Sequence, residues 1–155
     1  MPNNSSQKNA AYVLAVMKAT LESTADGILA TDEQGRITNW NTKFVEIWGM
    51  PEELVAGRDI QKIRAFIAKQ LKDSERYLAR ITQIEASREK SFDLLQLADG
   101  RFIERYSEVI LVEERVAGRV WSFRDVTQRH QLDLIPRRLA AIVDSSDDAI
   151  IGKDL

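Results

Sequence analysis

His130 is the only histidine of the chain, and its side chain is the best candidate for covalent chemistry. Phosphoacceptor histidines lie in a helix shortly before a proline, and Pro136 follows His130. Such motifs usually place an acidic residue next to the histidine and the proline about five positions on. Here Gln131 comes next, and Pro136 is one position too far away. Phosphotransfer at His130 is therefore only a distant alternative for the function of this chain.

The other residue types that support chemistry are missing or wrongly spaced. There is no cysteine, which excludes disulfides, thiolate metal sites, iron–sulfur clusters and a cysteinyl flavin adduct. Asp144, Ser146 and Asp148 begin like a calcium loop, but Ala149 and Leu155 stand where glycine and glutamate are required. The glycines are too far apart for a phosphate-binding loop. We predict no metal site, no catalytic residue and no enzymatic activity.

Composition limits the partners that this chain can bind. Its 155 residues are 44% apolar, and 22 basic against 24 acidic residues give a net charge of −2. No basic stripe exists that could neutralise several phosphates, so we expect no nucleic-acid binding. The longest apolar run, residues 10–17, is far shorter than the roughly 20 residues of a membrane span, and it lacks the flanks of a signal peptide. We expect a cytoplasmic domain without membrane contact.

Apolar spacing predicts the elements that would position any site. Leu14, Met17 and Leu21 recur at helical spacing and predict a helix over residues 10–24, after a disordered leader at 1–9. The remaining pattern predicts strands at 27–31 and 36–40, helices at 42–48, 59–71 and after Asp73, and strands at 92–97, 101–112 and 119–126. Strands grouped around a block of helices indicate an α+β fold with an antiparallel sheet.

Capping and turn residues set several boundaries of these elements. Asn41 can cap the helix at 42–48, and Gly49 can end it. Asp99-Gly100 and Ala117-Gly118 are predicted turns between the last three strands. The face of the helix that begins at Asp73 is predicted to carry Leu78, Ile81 and Glu85.

The end of the chain repeats its beginning at one constant offset. The matching positions are Ser145, Asp148 and Asp154 with Ser23, Asp26 and Asp32. Self-similarity at a fixed offset is typical of tandem structural units. We therefore expect one complete module followed by the first strand of another.

Short motifs distributed along the chain resemble those of a PAS sensor domain. They are Asp26-Gly27-Ile28, Asp32 to Gly35, Asn39-Trp40-Asn41, Asp99-Gly100-Arg101 and Trp121 to Thr127. The resemblance covers residues 22–127 and implies a PAS fold, with a five-stranded antiparallel sheet of order 2-1-5-4-3 and a helical block on one face. It divides the chain into a leader at 1–9, a flanking helix at 10–24, a PAS domain at 25–127, a linker helix at 128–144 and the start of a second PAS domain at 145–155.

The resemblance also implies a place for a ligand, between the sheet and the helical block. Strand alternation puts Trp121, Phe123 and Asp125 on one face of their strand, and Leu29 and Thr31 on one face of theirs. The resemblance implies that both faces point toward the ligand cavity. The pocket candidates are Leu29, Thr31, Trp40, Phe44, Trp48, Phe66, Tyr106, Trp121 and Phe123. Ordinary core packing is the competing interpretation of these aromatic residues.

Cofactors of this family need residues that the chain lacks. Haem is held by a histidine in the helical block and the flavin adduct by a cysteine, but His130 lies after the domain and there is no cysteine. We predict no cofactor, while an unidentified small organic ligand, such as an organic acid, and a noncovalently held flavin both stay open. Arg64 and Arg105 are candidate carboxylate partners, with a solvated surface position as the favoured alternative.

Asp125 and Thr127 correspond to the junction between domain and output helix in the family, so we assign them to signal coupling. We expect the Thr127 hydroxyl to cap the following helix by accepting from the N–H of Arg129 or His130. Beyond it, Leu132, Ile135, Leu139 and Ile142 have the spacing of a two-stranded coiled coil. Pro136 interrupts that pattern.

These observations predict a regulatory PAS module that binds a small ligand or a partner and passes the signal to a downstream output domain. The resemblance implies a parent protein such as a sensor histidine kinase or a diguanylate cyclase. We expect a homodimer with Leu14, Met17 and Leu21 in the contact. The main alternative is a ligand-free PAS domain that acts as a dimerisation spacer.

Overall fold

The fold is built on one antiparallel sheet of five strands. The structure is a computed structural model that describes residues 4–130. Its strands are β1 (Gly27–Asp32), β2 (Ile37–Trp40), β3 (Ser91–Gln96), β4 (Phe102–Val112) and β5 (Arg115–Asp125). They lie in the order β2-β1-β5-β4-β3, so the predicted α+β class and strand order are confirmed. The helices are α1 (Asn4–Ser23), α2 (Thr42–Trp48), α3 (Glu52–Ala56), α4 (Ile60–Ala68) and α5 (Ser74–Glu85).

Capping residues fix the helix that follows the first hairpin. The side chain of Asn41 accepts a hydrogen bond from the N–H of Phe44, which satisfies one of the free donors at the start of α2. Gly49 ends the helix with a φ of 58°, a left-handed conformation that glycine adopts without steric cost. Both predicted boundaries of this helix are confirmed.

The turn between β4 and β5 differs from the predicted one. It lies at Glu113 and Glu114, whose φ angles are 51° and 67°, instead of at Ala117-Gly118. Gly118 is inside β5, where a Cβ atom would lie 2.1 Å from the carbonyl oxygen of Thr31 on β1. This glycine therefore allows β5 to approach β1 closely. In the sequence, a glycine at such a position looks the same as a glycine in a turn.

Helix α1 begins within the segment predicted to be a disordered leader. It runs from Asn4, so residues 4–9 are helical and that expectation is wrong for them. The reason is that Asn4–Ser23 contains neither glycine nor proline, so no residue in it stops the amphipathic helix from extending toward the N-terminus.

The core lies between the inner face of the sheet and helices α2 to α5. Phe123 on β5 packs against Phe44 and Trp48, with ring centroids 5.5 and 5.6 Å apart. Helix α5 buries Tyr77, Ile81 and Ile84, whereas Leu78 is 45% exposed, so the predicted apolar face of that helix is displaced by one residue.

Several predictions concern residues outside the described range. They are the linker helix beyond His130, its apolar positions Leu132, Ile135, Leu139 and Ile142, the interruption at Pro136, and the second PAS domain at 145–155. The chain is helical again from Thr127 to His130, where the described residues end.

Candidate functional site

Strand register brings an arginine, a carboxylate and aromatic rings together on the inner face of the sheet. Phe123 on β5 is paired with Arg105 on β4, and Arg105 is paired with Asp93 on β3. Trp121, two residues before Phe123, faces the same side. The result is a polar group embedded in a largely apolar layer beneath α4 and α5.

The guanidinium of Arg105 is buried and only partly satisfied. The residue is 1% exposed, and its Nη2 donates a hydrogen bond of 3.2 Å to Oδ2 of Asp93. Within residues 4–130, neither Nε nor Nη1 has a hydrogen-bond acceptor. Its carbon Cζ lies 5.4 Å from the ring of Tyr77 and 5.7 Å from that of Trp121. Burial lowers the pKa of Arg105, and the bond to Asp93 offsets part of that effect.

Asp93 is shared between two arginines. Its Oδ1 accepts from Nε of Arg80 at 2.9 Å, while Oδ2 accepts from Arg105. Two cations thus share one anion, and the cluster carries one uncompensated positive charge. A buried charge that is not fully paired is costly, so this arrangement favours an additional anion or acceptor.

Two spaces lie on either side of Arg105. The inner one is a small cavity of about 20 Å³, lined mostly by apolar and aromatic side chains that include Leu29, Ile63, Tyr77, Trp121 and Phe123. It has room for about one water molecule. The outer one is an open groove of about 670 Å³ between α5 and β3, and Arg105 lines both.

A second inner arginine has neutral oxygens as its hydrogen-bond partners. Arg119 donates through Nη1 to Oγ of Ser107 at 3.0 Å and through Nη2 to the carbonyl of Ser87 at 2.6 Å. Its Cζ lies 5.8 Å from the ring of Trp121. Together with Arg105 it gives the inner face a positive electrostatic character.

The predicted surface position of Arg64 and Arg105 is wrong for both. The side chain of Arg64 is 13% exposed and forms an ion pair of 2.8 Å with Glu85, at the rim of the small cavity. Sequence reasoning named these two arginines but missed Asp93 and Arg119. Alternation could have found Arg119, because it is two residues before Trp121 on the same strand.

Most of the predicted pocket residues lie on the core side. Leu29, Trp121 and Phe123 line the small cavity. Thr31 is buried on the same strand face, and its hydroxyl donates to the carbonyl of Arg119 at 3.5 Å. The others pack in or beside the hydrophobic core: Phe44 and Trp48 fully buried, Phe66 half-buried, and Trp40 half-buried with Arg58 over its ring.

Tyr106 is the exception among the predicted pocket residues. It is 36% exposed and its hydroxyl donates to Glu108, on the outer face of the sheet. Its neighbours Arg105 and Ser107 take the inner face, and alternation therefore turns Tyr106 outward. Its assignment to the pocket is wrong.

Thr127 joins the last strand to β4 instead of capping the next helix. Its Oγ1 accepts from the N–H of Phe102 at 3.0 Å and donates to Oδ1 of Asp125 at 2.6 Å. The same oxygen of Asp125 accepts from the N–H of Thr127. The expected bonds from the N–H groups of Arg129 or His130 to this hydroxyl are not formed, and the N–H of His130 donates to the carbonyl of Val126 at 2.8 Å instead. The ring of His130 stacks on Phe102 with centroids 4.0 Å apart.

Asn41 makes a corresponding connection at the other end of the domain. It is buried, and its side-chain oxygen accepts from the N–H groups of Ile28 and Phe44. Its nitrogen donates to the carbonyls of Leu21 and Asp26. Asn41 therefore links the end of α1 to β1 and α2, a role that the sequence indicated only as a helix cap.

The residues predicted to contact a second chain lie on α1. Leu14 is 69% and Met17 is 59% exposed, while Leu21 is half-buried near Asn41. Among the helices of residues 4–130, none is long and apolar enough to span a membrane.

Comparisons with known proteins agree with this architecture. The family model described as "PAS fold" matches residues 21–134. The PAS domain of BvgS from Bordetella pertussis is 18% identical, with a TM-score of 0.59, and the match covers 85% of this chain and 97% of that one. A PAS domain of a protein from Colwellia psychrerythraea is 21% identical, with a TM-score of 0.52 and coverage of 75% and 98%. No curated protein matches the chain.

Proposed function

Because the chain belongs to the PAS family of sensory domains, we propose that it is a non-catalytic regulatory module that binds a small ligand between its sheet and helices α4 and α5. The observation that carries this proposal is the half-satisfied guanidinium of Arg105, which is buried beside a cavity and at the floor of a groove. Buried polar groups in native proteins are normally hydrogen-bonded, so a group left without acceptors marks a place for one.

In this proposal, the signal of ligand binding passes along β4 to the junction between the sheet and the helix that begins at Thr127. Arg105 and Phe102 lie on this strand, and Phe102 is bonded to Thr127, where the next helix begins. A ligand that changes how Arg105 is held would thereby act on the first residues of the output helix. In this proposal Asp125 and Thr127 couple the ligand site to a downstream output domain, of the histidine kinase or diguanylate cyclase type.

We further propose that the module forms a homodimer through α1. Its exposed apolar side chains include Leu14 and Met17, and a contiguous apolar surface of this kind marks an interaction site. A second copy is the proposed occupant, consistent with a cytoplasmic signalling protein that works as a symmetric dimer.

The alternative of a ligand-free dimerisation spacer rests on one observation. The inner cavity holds about 20 Å³, which is too little for an organic ligand without movement of the surrounding side chains. Phosphotransfer at His130 has less support, because its ring is packed on Phe102.

Native mass spectrometry of the purified chain tests the ligand proposal and the dimer together. We expect a dimeric mass with a retained small molecule that disappears under denaturing conditions. A bare protein mass, together with a melting temperature that no small molecule raises, would favour the spacer. We also expect a colourless protein, and a haem or flavin absorption band in protein expressed with cofactor supplied would contradict the predicted lack of cofactor.

A further inference from the structure

We infer that the ligand of this site is a small monocarboxylate with a short apolar tail, bound by Arg105. This inference rests on the proposed function and adds the chemical class of the ligand. Three features of the inner face select that class: the donors, the charge balance and the shape of the surrounding space.

The donors require an acceptor. An arginine side chain presents five N–H groups in a fixed planar arrangement and accepts no hydrogen bond. Only Nη2 of Arg105 is used, by Asp93, while Nε and Nη1 have no acceptor among residues 4–130. Carboxylate oxygens are the strongest acceptors for such donors because the hydrogen bond is charge-assisted on both sides.

The charge balance selects a monoanion. Arg105 and Arg80 share the single carboxylate of Asp93, which leaves one positive charge without a partner. The nearby Arg64 is already paired with Glu85. Arg119, whose hydrogen-bond partners are neutral oxygens, lines neither the cavity nor the groove and so does not enter this balance. One ligand carboxylate would neutralise the cluster, whereas a dianion such as phosphate would leave an extra negative charge in an apolar layer.

The shape and polarity of the inner space select a short apolar tail. Besides Arg105, the polar side chains that line this cavity are Tyr77 and Arg64, and Arg64 is already paired with Glu85. The rest of the lining is apolar or aromatic and favours an apolar tail: Leu29, Ile60, Ile63, Ile67, Ile81, Trp121 and Phe123. The cavity volume of about 20 Å³, room for about one water molecule, admits only the shortest tail, and a tail of two carbons enters when the surrounding side chains move slightly. The groove between α5 and β3 provides the way in, past the exposed side of Asp93 and Arg80.

Binding of sodium propionate to the wild-type chain is the first test. Propionamide has nearly the same size and shape but no charge, and inorganic phosphate is the dianionic comparison. We expect propionate to bind at least about tenfold more tightly than either compound, as measured by ligand-observed NMR and by the rise in melting temperature. Equal binding of propionate and propionamide would overturn the inference.

Two substitutions of the site give opposite expectations. Arg105→Met fills a similar volume without hydrogen-bond donors, so it should weaken propionate binding by about tenfold or more. Arg115→Met, at an exposed arginine of β5, is the control and should leave propionate binding unchanged. Asp93→Asn removes the competing carboxylate and should tighten propionate binding. An Asp93→Asn variant that binds propionate as wild type does, or more weakly, would contradict the role assigned to Arg105, even if Arg105→Met fails to fold.

The failure of this inference differs from that of the proposed function. A neutral molecule retained in native mass spectra, with propionate binding unaffected by Arg105→Met, would overturn the carboxylate and leave the sensory site standing. A chain that retains nothing and is stabilised by neither propionate nor propionamide would overturn both.

Discussion

Gly118 shows how a single hydrogen in place of a side chain permits the pairing of two central strands. At this position β5 runs so close to β1 that a Cβ atom would lie 2.1 Å from the Thr31 carbonyl oxygen and 3.2 Å from the Cα of Asp32. The neighbouring atoms are backbone and cannot turn aside, so any substitution must separate the strands.

We predict that Gly118→Ala lowers the free energy of unfolding by about 3 kcal/mol or more, because overpacking against backbone displaces the β1–β5 pairing. Urea denaturation followed by circular dichroism measures it. Gly57→Ala is the matched control, since its Cβ would lie 3.4 Å from the nearest atom at a helix end. It should change stability by no more than about 1 kcal/mol. Similar losses of unfolding free energy for Gly118→Ala and Gly57→Ala would contradict the close approach of β5 to β1 at Gly118.

Tyr77 couples the stability of the site to alkaline pH. Burial raises the pKa of its phenol to about 12, against an ordinary value of 10.0. Between these values the unfolded chain loses the phenolic proton while the folded chain keeps it, so the unfolded state is favoured as the pH rises. The contribution of this group is therefore fully present below pH 10 and is lost toward pH 12.

We predict that Tyr77→Phe reduces the fall in unfolding free energy between pH 9 and pH 11 by about 1 kcal/mol, because phenylalanine has no proton to lose. Urea titrations of both proteins at the two pH values give the difference. Tyr106→Phe, on the exposed outer face, is the comparison that corrects for removing a hydroxyl. An identical pH dependence of Tyr77→Phe and wild type would contradict the buried neutral phenol.

At the scale of elements, the start of β4 and the start of the last helix form one unit. Phe102 donates to the hydroxyl of Thr127, accepts from the N–H of Val126 at 2.9 Å, and stacks on His130. An ion pair between Arg129 and Glu104 closes the same junction. Movement of one element therefore displaces the other.

We predict that Thr127→Ala lowers the unfolding free energy by about 1–2 kcal/mol, because the N–H of Phe102 loses its acceptor. Amide hydrogen exchange should show faster exchange at Phe102 with little change at Leu29. Thr82→Ala, on the exposed side of α5, is the control. Unchanged exchange at Phe102 would mean that the hydroxyl does not hold the junction.

In a chain that carries an output domain after this module, Asp125→Ala combined with Thr127→Ala should leave folding cooperative while uncoupling output from stimulus. A normal response of that double variant would refute the coupling role.

At the scale of the whole molecule, α1 has more exposed large apolar side chains than any other element within residues 4–130. Tyr12, Val13, Leu14, Val16 and Met17 are all exposed, and the helix is connected to the domain at its end through Asn41 and Glu22. An isolated helix with such a surface gains little from the rest of its own chain. A second copy can cover it.

We predict that the combination of Leu14→Glu with Met17→Glu converts a dimer into a monomer at high micromolar concentration, because charges replace the apolar contact. Light scattering or sedimentation gives the mass. Leu78→Glu replaces an exposed apolar residue of another helix and should leave the dimer intact. A wild-type monomer at these concentrations, or dissociation by Leu78→Glu alone, would contradict an interface on α1.

Local interactions explain why much of the fold could be predicted from the sequence. Asn41 and Gly49 limit α2 through bonds and dihedral angles that involve only their immediate neighbours. The alternation along β5 puts Trp121 and Phe123 on one face without reference to any other strand. Together with the PAS motifs, these local patterns determined the class, the strand order and most of the core-facing aromatic residues.

The candidate site depended on the tertiary structure, because its contacts join residues far apart in the chain. Arg105 meets Asp93 through the register of β3 on β4, and it meets Tyr77 through the packing of α5 on the sheet. Gly118 is constrained by β1, and Thr127 is held by the first residue of β4. Register and packing are set by the summed burial of whole elements, so no short pattern around these residues could have revealed their partners.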